Sequence, residues 1–133
     1  MGPVLIMAQA VLPDTDVLID FLRGFDQAVS LIHSYASHIV LSSIVVAELY
    51  AGAKGDAEEE ALGNFIALFQ VVPVTTDIAK AAGLYKRDFG KSHGVGLADA
   101  VIAASCQAER AALKTLNVKH YPMIRGLTPA YVK

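Results

Sequence analysis

The fold is decided by residues 10–20, which read AVLPDTDVLID. The apolar first residues of this stretch predict a short buried strand that ends at Asp14. We expect Asp16 to cap a helix over residues 17–23, which Gly24 ends. The segment therefore predicts a strand that is followed directly by a helix.

The rest of the chain repeats this alternation of strands and helices. Short β-branched stretches predict strands, whereas apolar residues at helical spacing after capping residues such as Ser43 and Thr76 predict helices. The further strands are expected at residues 38–42, 71–74, 112–116 and near Ile124, and the helices at 26–35, 43–53, 59–69, 76–85 and 97–109. Short, continuously apolar strands are typical of a parallel sheet that helices cover on both faces. We therefore predict a parallel α/β fold, in which sites form at the carboxyl ends of the strands.

Length and composition favour one folded domain. The chain has 133 residues, of which 54% are hydrophobic and 18% are charged, and this is far more apolar material than a disordered chain carries. We expect one domain over residues 11–133, after an extension over residues 1–10 that leads into the first strand. A membrane span is not expected, because the apolar N-terminal run is too short. So much apolar surface on a small domain also favours self-association.

The formal net charge of −2 argues against a generic basic nucleic-acid-binding protein. Contact with a nucleic acid would need a local basic patch or a bound metal ion. The single cysteine, Cys106, cannot form an internal disulfide, and the sequence has no zinc-finger spacing. Both observations are typical of a reducing compartment, so we expect a cytoplasmic protein.

Polar side chains follow the predicted strands at the edge where a parallel sheet would bring them together. They are Asp14, Glu48, Asp99 and Asn117. Carboxylates gathered in one crevice repel each other, and protons or a divalent cation must offset that repulsion. Oxygen ligands favour a hard ion, Mg²⁺ or Mn²⁺. Such an ion can activate a water molecule and stabilise the charge that builds on a phosphate, which is the chemistry of phosphodiester hydrolysis.

These polar residues belong to four segments that follow one another along the chain. The segments are residues 14–20 (DTDVLID), 43–49 (SIVVAEL), 97–104 (LADAVIAA) and 115–121 (TLNVKHY). In this order and at these separations they resemble the PIN-domain ribonucleases, and within that family the VapC type, the toxins of type II toxin–antitoxin pairs. The resemblance spans the chain from Val11 to the C-terminus. It implies a PIN-like three-layer α/β/α sandwich with a short, mostly parallel central sheet.

The resemblance also implies a role for each polar residue. Asp14, Glu48 and Asp99 would be the acidic ligands of Mg²⁺ or Mn²⁺, and Asn117 would complete the catalytic set. The family commonly has a fourth acid where this chain has Asn117. An amide can orient water or offer its carbonyl oxygen, but it supplies no charge, so it would hold a second ion less tightly.

Two threonines beside these residues, Thr15 and Thr115, are expected to support the carboxylates by hydrogen bonds, again as the resemblance implies. The apolar neighbours of Glu48 suggest a buried carboxylate, and burying one without a partner is costly. A ligand role for Glu48 is therefore favoured over a structural one.

The two other acidic residues of the first helix are interpreted as structural. Asp16 is expected to cap the helix, and this accounts for its position without any part in metal binding. Asp20 lies one turn further on and is expected to form a salt bridge with Arg23, three residues later in the chain.

The implied reaction is the in-line attack of metal-activated water on an RNA phosphodiester, which leaves a 5′ phosphate and a 3′ hydroxyl. The implied partners are the RNA, a cognate antitoxin that covers the cleft, and a second copy of the chain in a homodimer. RNA contacts could come from the basic segment of Lys86, Arg87, Lys91 and His93, and from His120. The same segment fits an exposed helix face equally well.

Two other functions remain open from the residues alone. Asp14 and Asp16 also resemble the nucleophile and acid/base pair of a haloacid-dehalogenase-type phosphatase, although the chain is short for that fold. With Asn117 in place of an acid, the domain could instead bind RNA or an antitoxin without cutting.

Overall fold

The computed structural model describes residues 9–133, an alternation of short strands and longer helices. The strands in this part of the chain are β1 (Val11–Pro13), β2 (Val40–Ser42), β3 (Gln70–Val72) and β4 (Ala112–Lys114). The α-helices are α1 (Thr15–Leu22), α2 (Asp26–Ser34), α3 (Ser43–Ala51), α4 (Gly55–Ile66), α5 (Thr76–His93) and α6 (Leu97–Glu109), with 3₁₀ turns at Ala36–His38 and Val118–His120. Residues 1–8 of the expected extension over residues 1–10 lie outside the described part.

The strands form a short parallel sheet in the order β3, β2, β1, β4. Strand β1 pairs with β4 and β2 pairs with β3, both in parallel. A single parallel bridge between Val11 and Ile39 joins the two pairs. The predicted α/β fold with a short, parallel sheet is confirmed. This order brings the ends of β1, β2 and β4 to the same edge, where Asp14, Ser42 and Thr115 lie.

Helix α6 lies at the centre of the packing. Every residue from 100 to 106 is buried, since small side chains such as Ala100, Ala103 and Ala104 let neighbouring elements approach the helix from several sides. Helix α6 contacts α3, α5 and β4. Its first turn, which carries Asp99, is therefore held firmly beside the sheet edge. Within residues 9–133, none of the helices is both long and apolar enough to cross a membrane.

The first helix begins earlier than the sequence suggests. Asp14, and not Asp16, is the capping residue of α1: its backbone is extended and its carboxylate accepts a hydrogen bond from the Thr15 N–H at 2.7 Å. The prediction for Asp16 was wrong because β1 passes into α1 without a linker. The polar residue that ends the strand is then already in position to cap the helix.

A smaller shift, by one residue, occurs at two other helices. Ser42, rather than Ser43, caps α3, and Thr75, rather than Thr76, caps α5. Helix α5 also runs past residue 85 and ends at Gly94, whose φ of 64° lies in the left-handed region that glycine adopts without strain. The expected strand near Ile124 is not formed, since the chain makes turns there.

The C-terminal residues return across the molecule to α1. Tyr131 donates its hydroxyl to Asp20 Oδ2 at 2.7 Å, and Lys133 Nζ donates to Asp20 Oδ1 at 3.0 Å. The predicted salt bridge between Asp20 and Arg23 is wrong, because Asp20 is buried and turned toward the C-terminal segment, whereas Arg23 is exposed. Burial raises the pKa of Asp20, but the hydrogen bonds from Tyr131 and Lys133 outweigh burial and hold this pKa below its usual value.

We predict that Asp20→Asn lowers the free energy of unfolding at pH 7 by about 1–3 kcal/mol, the usual effect of breaking a buried, charged hydrogen-bond pair. Because the pKa of Asp20 is lower in the folded protein than in the unfolded chain, ionisation of this carboxylate stabilises the fold. The stabilisation is complete above the unfolded pKa of about 4 and is lost as the pH falls through the folded pKa. The difference between wild type and variant should therefore shrink as the pH falls below the unfolded pKa of about 4. Urea unfolding over this pH range measures it.

The matched control is Asp26→Asn, which removes a carboxylate from an exposed position on α2. It should change the unfolding free energy little at any of these pH values. A wild-type advantage over Asp20→Asn that stays constant with pH would contradict the role assigned to the Asp20 carboxylate.

Candidate active site

Asp14 is the buried centre of the site. It ends β1 and caps α1, so its carboxylate lies at the sheet edge. Its Oδ1 accepts from the Thr15 N–H at 2.7 Å, and its Oδ2 accepts from the hydroxyls of Thr115 and Tyr121, each at 2.8 Å. Three donors from different parts of the chain thus hold the orientation of this carboxylate.

Asp99 lies across the Tyr121 hydroxyl from Asp14. It is half-buried in the first turn of α6, with Oδ1 at 3.3 Å from the Tyr121 hydroxyl and Oδ2 at 3.4 Å from His120 Nδ1. The structure therefore brings one carboxylate oxygen of Asp14 and one of Asp99 within hydrogen-bond distance of the same phenol oxygen. His120, expected as an RNA contact, lies directly beside the acidic pair.

Glu48 joins this group through Thr15. It lies on α3, and its Oε1 accepts from the Thr15 hydroxyl at 2.6 Å. The expectation that Glu48 is buried among apolar neighbours was wrong: Glu48 is exposed, because its face of α3 opens onto a groove between α1, α3 and α4. Both threonines expected to support carboxylates thus bond to one, Thr15 to Glu48 and Thr115 to Asp14.

Asp16 connects α1 to the segment after β4. Its Oδ1 accepts from the Val17 N–H at 2.7 Å and its Oδ2 from the Leu116 N–H at 3.0 Å. Both oxygens are used within the fold, which agrees with the structural interpretation and leaves Asp16 poorly suited to be the acid/base of a phosphatase. Burial and the nearby charge of Asp14 raise the pKa of Asp16 to about 6.

Asn117 lies at the mouth of the site. Its backbone N–H donates to Thr115 Oγ1 at 3.0 Å, while the residue is exposed. Because the same Thr115 hydroxyl donates to Asp14, the turn after β4 is tied to the buried carboxylate. Asn117 is thus an exposed residue of the turn that holds the Asp14 carboxylate.

The electrostatics of the site favour a positive ion. Burial raises the pKa of Asp14; the hydroxyls of Thr115 and Tyr121 and the Thr15 N–H oppose this, and the charge of Asp99 adds to it. Burial and the charges of Asp14 and Asp99 also raise the pKa of Tyr121 far above its ordinary value, so the phenol remains a hydrogen-bond donor. A cation beside Asp14 and Asp99 would relieve the repulsion between them.

The donor set fits a hard divalent ion. Within residues 9–133, no three His, Cys, Asp or Glu side chains converge closely enough to form a complete metal centre. Mg²⁺ does not require one, because it is usually bound through one or two carboxylates and keeps several waters. Asp14 and Asp99 supply such a pair. Glu48 accepts a hydrogen bond from Thr15, the residue after Asp14, and Asn117 lies in the turn after β4.

The basic segment lies at the end of α5, next to the loop that leads to Asp99. Lys86 Nζ donates to the Val95 carbonyl at 2.8 Å, so this lysine holds the loop before α6. Arg87 is paired with Asp88 at 2.8 Å, and Lys91 is exposed. RNA contact by these residues stays a prediction, and Lys91 is the side chain most free to make one.

Tyr121 is the site residue to which sequence reasoning assigned no role. It ends the fourth motif segment, residues 115–121, but an aromatic residue there suggests core packing. The hydroxyl was the signal in the sequence that could have indicated a role. A buried tyrosine needs a hydrogen-bond partner, and this segment also carries residues predicted to lie near the carboxylates.

Comparison with known proteins identifies the family. The PIN domain profile matches residues 11–121. The chain is 37% identical over 124 residues to Ribonuclease VapC10 of Mycobacterium tuberculosis, which covers 91% of this chain and 92% of the relative. It is 36% identical over 122 residues to Ribonuclease VapC19 of the same organism, which covers 89% of this chain and 97% of the relative.

A solved structure agrees with these matches. A chain of a toxin–antitoxin complex from Klebsiella pneumoniae superposes with a TM-score of 0.79 and 27% identity, covering 92% of this chain and 98% of that chain. The PIN-like fold predicted from the four segments is thereby confirmed. The chain therefore belongs to the PIN-domain family, within its VapC group.

Proposed function

We propose that this chain is a metal-dependent endoribonuclease that acts as the toxin of a toxin–antitoxin pair. The observation that carries the proposal is that Asp14 and Asp99 contact the same Tyr121 hydroxyl at the carboxyl end of a parallel sheet. Two relatives that match about nine-tenths of the chain are named ribonucleases, which supports the same activity here.

In this proposal the catalytic set is Asp14, Glu48, Asp99 and Asn117. Asp14 and Asp99 would hold Mg²⁺, or Mn²⁺ in its place, and Glu48, whose carboxylate is bonded to Thr15, would be the third ligand. The ion would supply the positive charge that activates water and offsets the charge building on the phosphate. Asn117 orients water or phosphate at the mouth through its amide. Burial of Asp14 and its three hydrogen bonds fix the orientation of its carboxylate while RNA approaches from the solvent.

RNA binding must overcome a net charge of −2. Local basic residues of α5 therefore carry it: Lys91 is exposed near the end of the helix, and Lys86 and Arg87 lie one turn earlier. His120, beside Asp99, is a further proposed RNA contact. A single-stranded RNA segment suits such a shallow opening, because its bases and backbone can adapt to a few scattered contacts. We propose a cytoplasmic location, which the single cysteine, Cys106, and the lack of zinc-finger spacing in the sequence support.

The acidic opening also accounts for neutralisation by an antitoxin. A basic side chain inserted beside Asp14 and Asp99 would offset their charge much as an ion does. The groove between α1, α3 and α4 lies next to Glu48 and is lined by apolar residues such as Leu22 and Leu49, so a partner segment can reach the carboxylates from there. The matching Klebsiella structure is a toxin–antitoxin complex, which supports this assignment.

We also propose that two copies of the chain associate. Leu84 on α5 and Leu97 on α6 are 40% and 60% exposed, and α5 packs against α6. Exposed leucines on neighbouring helices supply apolar surface that a second copy would bury.

We predict that Asp99→Asn lowers the rate of RNA cleavage by at least about 100-fold, because it removes the charge of one ligand. The assay uses antitoxin-free protein, a total RNA pool, and Mg²⁺ or Mn²⁺, with cleavage followed by end mapping. EDTA should abolish cleavage of the same RNA by the wild type.

The control for this prediction is Asp26→Asn, which removes an exposed carboxylate of α2, a helix that carries none of the proposed site residues. It should leave the cleavage rate within about twofold of wild type, as expected for a surface position. Cleavage by Asp99→Asn at the wild-type rate contradicts the proposed site. Tight RNA binding without cleavage by the wild type would favour the binding-only alternative.

We predict that Asn117→Asp increases the affinity for Mg²⁺ about tenfold, since it adds a negative charge beside an acidic pair. Isothermal titration calorimetry of the purified chain measures the change. Asn64→Asp, at an exposed position of α4, adds the same charge at a distance and should leave the affinity unchanged. Equal affinities for wild type and Asn117→Asp would show that this side chain does not face the ion.

A further inference from the structure

Tyr121 occupies an unusual place for a phenol. The residue is 1% exposed and follows the 3₁₀ turn Val118–His120. Its hydroxyl lies 2.8 Å from Asp14 Oδ2 and 3.3 Å from Asp99 Oδ1. A purely apolar ring would fill the same space, so the hydroxyl requires a separate explanation.

The first part of the explanation is the number of acceptor sites on Asp14. An ionised carboxylate has two oxygens, each with about two lone-pair sites. Both sites of Oδ2 are used by the hydroxyls of Thr115 and Tyr121, while Oδ1 accepts one bond from the Thr15 N–H. Asp14 therefore has one acceptor site left for a cation, and it is on Oδ1.

The second part concerns Asp99. A hydroxyl has one hydrogen, and the shorter contact indicates that Tyr121 gives it to Asp14. Asp99 Oδ1, at 3.3 Å, receives the weaker share of that hydrogen. The Tyr121 hydroxyl thus satisfies Asp14 more fully than Asp99, so Asp99 keeps more of its acceptor capacity for a ligand.

The number of free carboxylate oxygens on Asp14 affects which ion can bind. A carboxylate that can chelate through both oxygens suits Ca²⁺, which accepts bidentate ligands and irregular geometry. Mg²⁺ is smaller, demands near-octahedral geometry and keeps several waters, so a carboxylate limited to one oxygen suits it better.

We propose that Tyr121 is a positioning residue, whose hydroxyl limits Asp14 to one free oxygen and thereby favours Mg²⁺ over Ca²⁺. This rests on the metal site of the proposed function. The proposal differs from a merely structural role, in which the hydroxyl would stabilise the fold without affecting the choice of ion.

The chain offers a matched control. Tyr131 also donates its hydroxyl to a buried aspartate, Asp20, at 2.7 Å, but it belongs to the C-terminal segment and contacts none of the proposed ligands. Tyr131→Phe therefore removes the same kind of bond as Tyr121→Phe. A general loss of stability should affect both variants, whereas an effect through Asp14 should appear in Tyr121→Phe alone.

The experiment titrates Mg²⁺ and Ca²⁺ separately into the full chain by calorimetry, for wild type and both tyrosine variants. We expect the ratio of Mg²⁺ affinity to Ca²⁺ affinity to fall about tenfold in Tyr121→Phe, in the range for residues that orient metal ligands, and to stay at the wild-type value in Tyr131→Phe. Thr115→Val releases the other acceptor site of Oδ2 and should shift the ratio in the same direction. Thr115→Val decides the question if Tyr121→Phe does not fold.

An unchanged ratio in Tyr121→Phe overturns the proposal, and so does an equal shift in Tyr131→Phe or a wild type that binds neither ion. RNA cleavage by the wild type is measured in parallel. If the wild type cleaves RNA and the ratio of Mg²⁺ to Ca²⁺ affinity is unchanged in Tyr121→Phe, the proposed function is supported and this inference is wrong. If the affinity ratio shifts in Tyr121→Phe but the wild type cleaves no RNA, the inference is supported and the proposed ribonuclease activity is contradicted.

Discussion

The burial of one carboxylate, that of Asp14, is the constraint on which the rest of the structure depends. A buried charge is costly unless hydrogen bonds or a counter-ion compensate it. Its donors come from the adjacent residue, Thr15, and from Thr115 and Tyr121, which are 101 and 107 positions away in the chain. The start of the domain, the end of β4 and the segment after it must therefore meet at one point.

The same constraint links stability to function. The groups that satisfy Asp14 also orient it toward Asp99, and Thr15 carries the connection on to Glu48. Repulsion between these carboxylates remains in the fold without an ion, and it makes the opening receptive to a divalent cation or to a basic side chain of a partner. A protein with a net negative charge can in this way bind phosphate through an ion and be neutralised by a cation from a partner.

Local sequence patterns predicted much of the fold and of the candidate site. The strand positions, most helices and the four motif segments follow from short-range periodicity and capping chemistry. The errors have a common origin: Asp16 was expected to cap α1, Glu48 was expected to be buried, and Asp20 was expected to pair with Arg23. In each case the actual partner or exposure is set by the way a strand enters a helix or by residues far along the chain, such as Lys133, 113 positions from Asp20.

The sequence by itself determined the parallel α/β class, the family resemblance and the identity of the acidic residues, because periodicity and motif order are properties of neighbouring residues. The tertiary structure alone decided which oxygens of Asp14 are occupied, that Tyr121 lies between Asp14 and Asp99, and that Asp16 is used by the Leu116 backbone. Differences of a few tenths of an ångström in the donor–acceptor distance decide whether groups that are remote in sequence form a hydrogen bond. Such distances exist only once the core has packed, and they determine how the carboxylates can bind an ion.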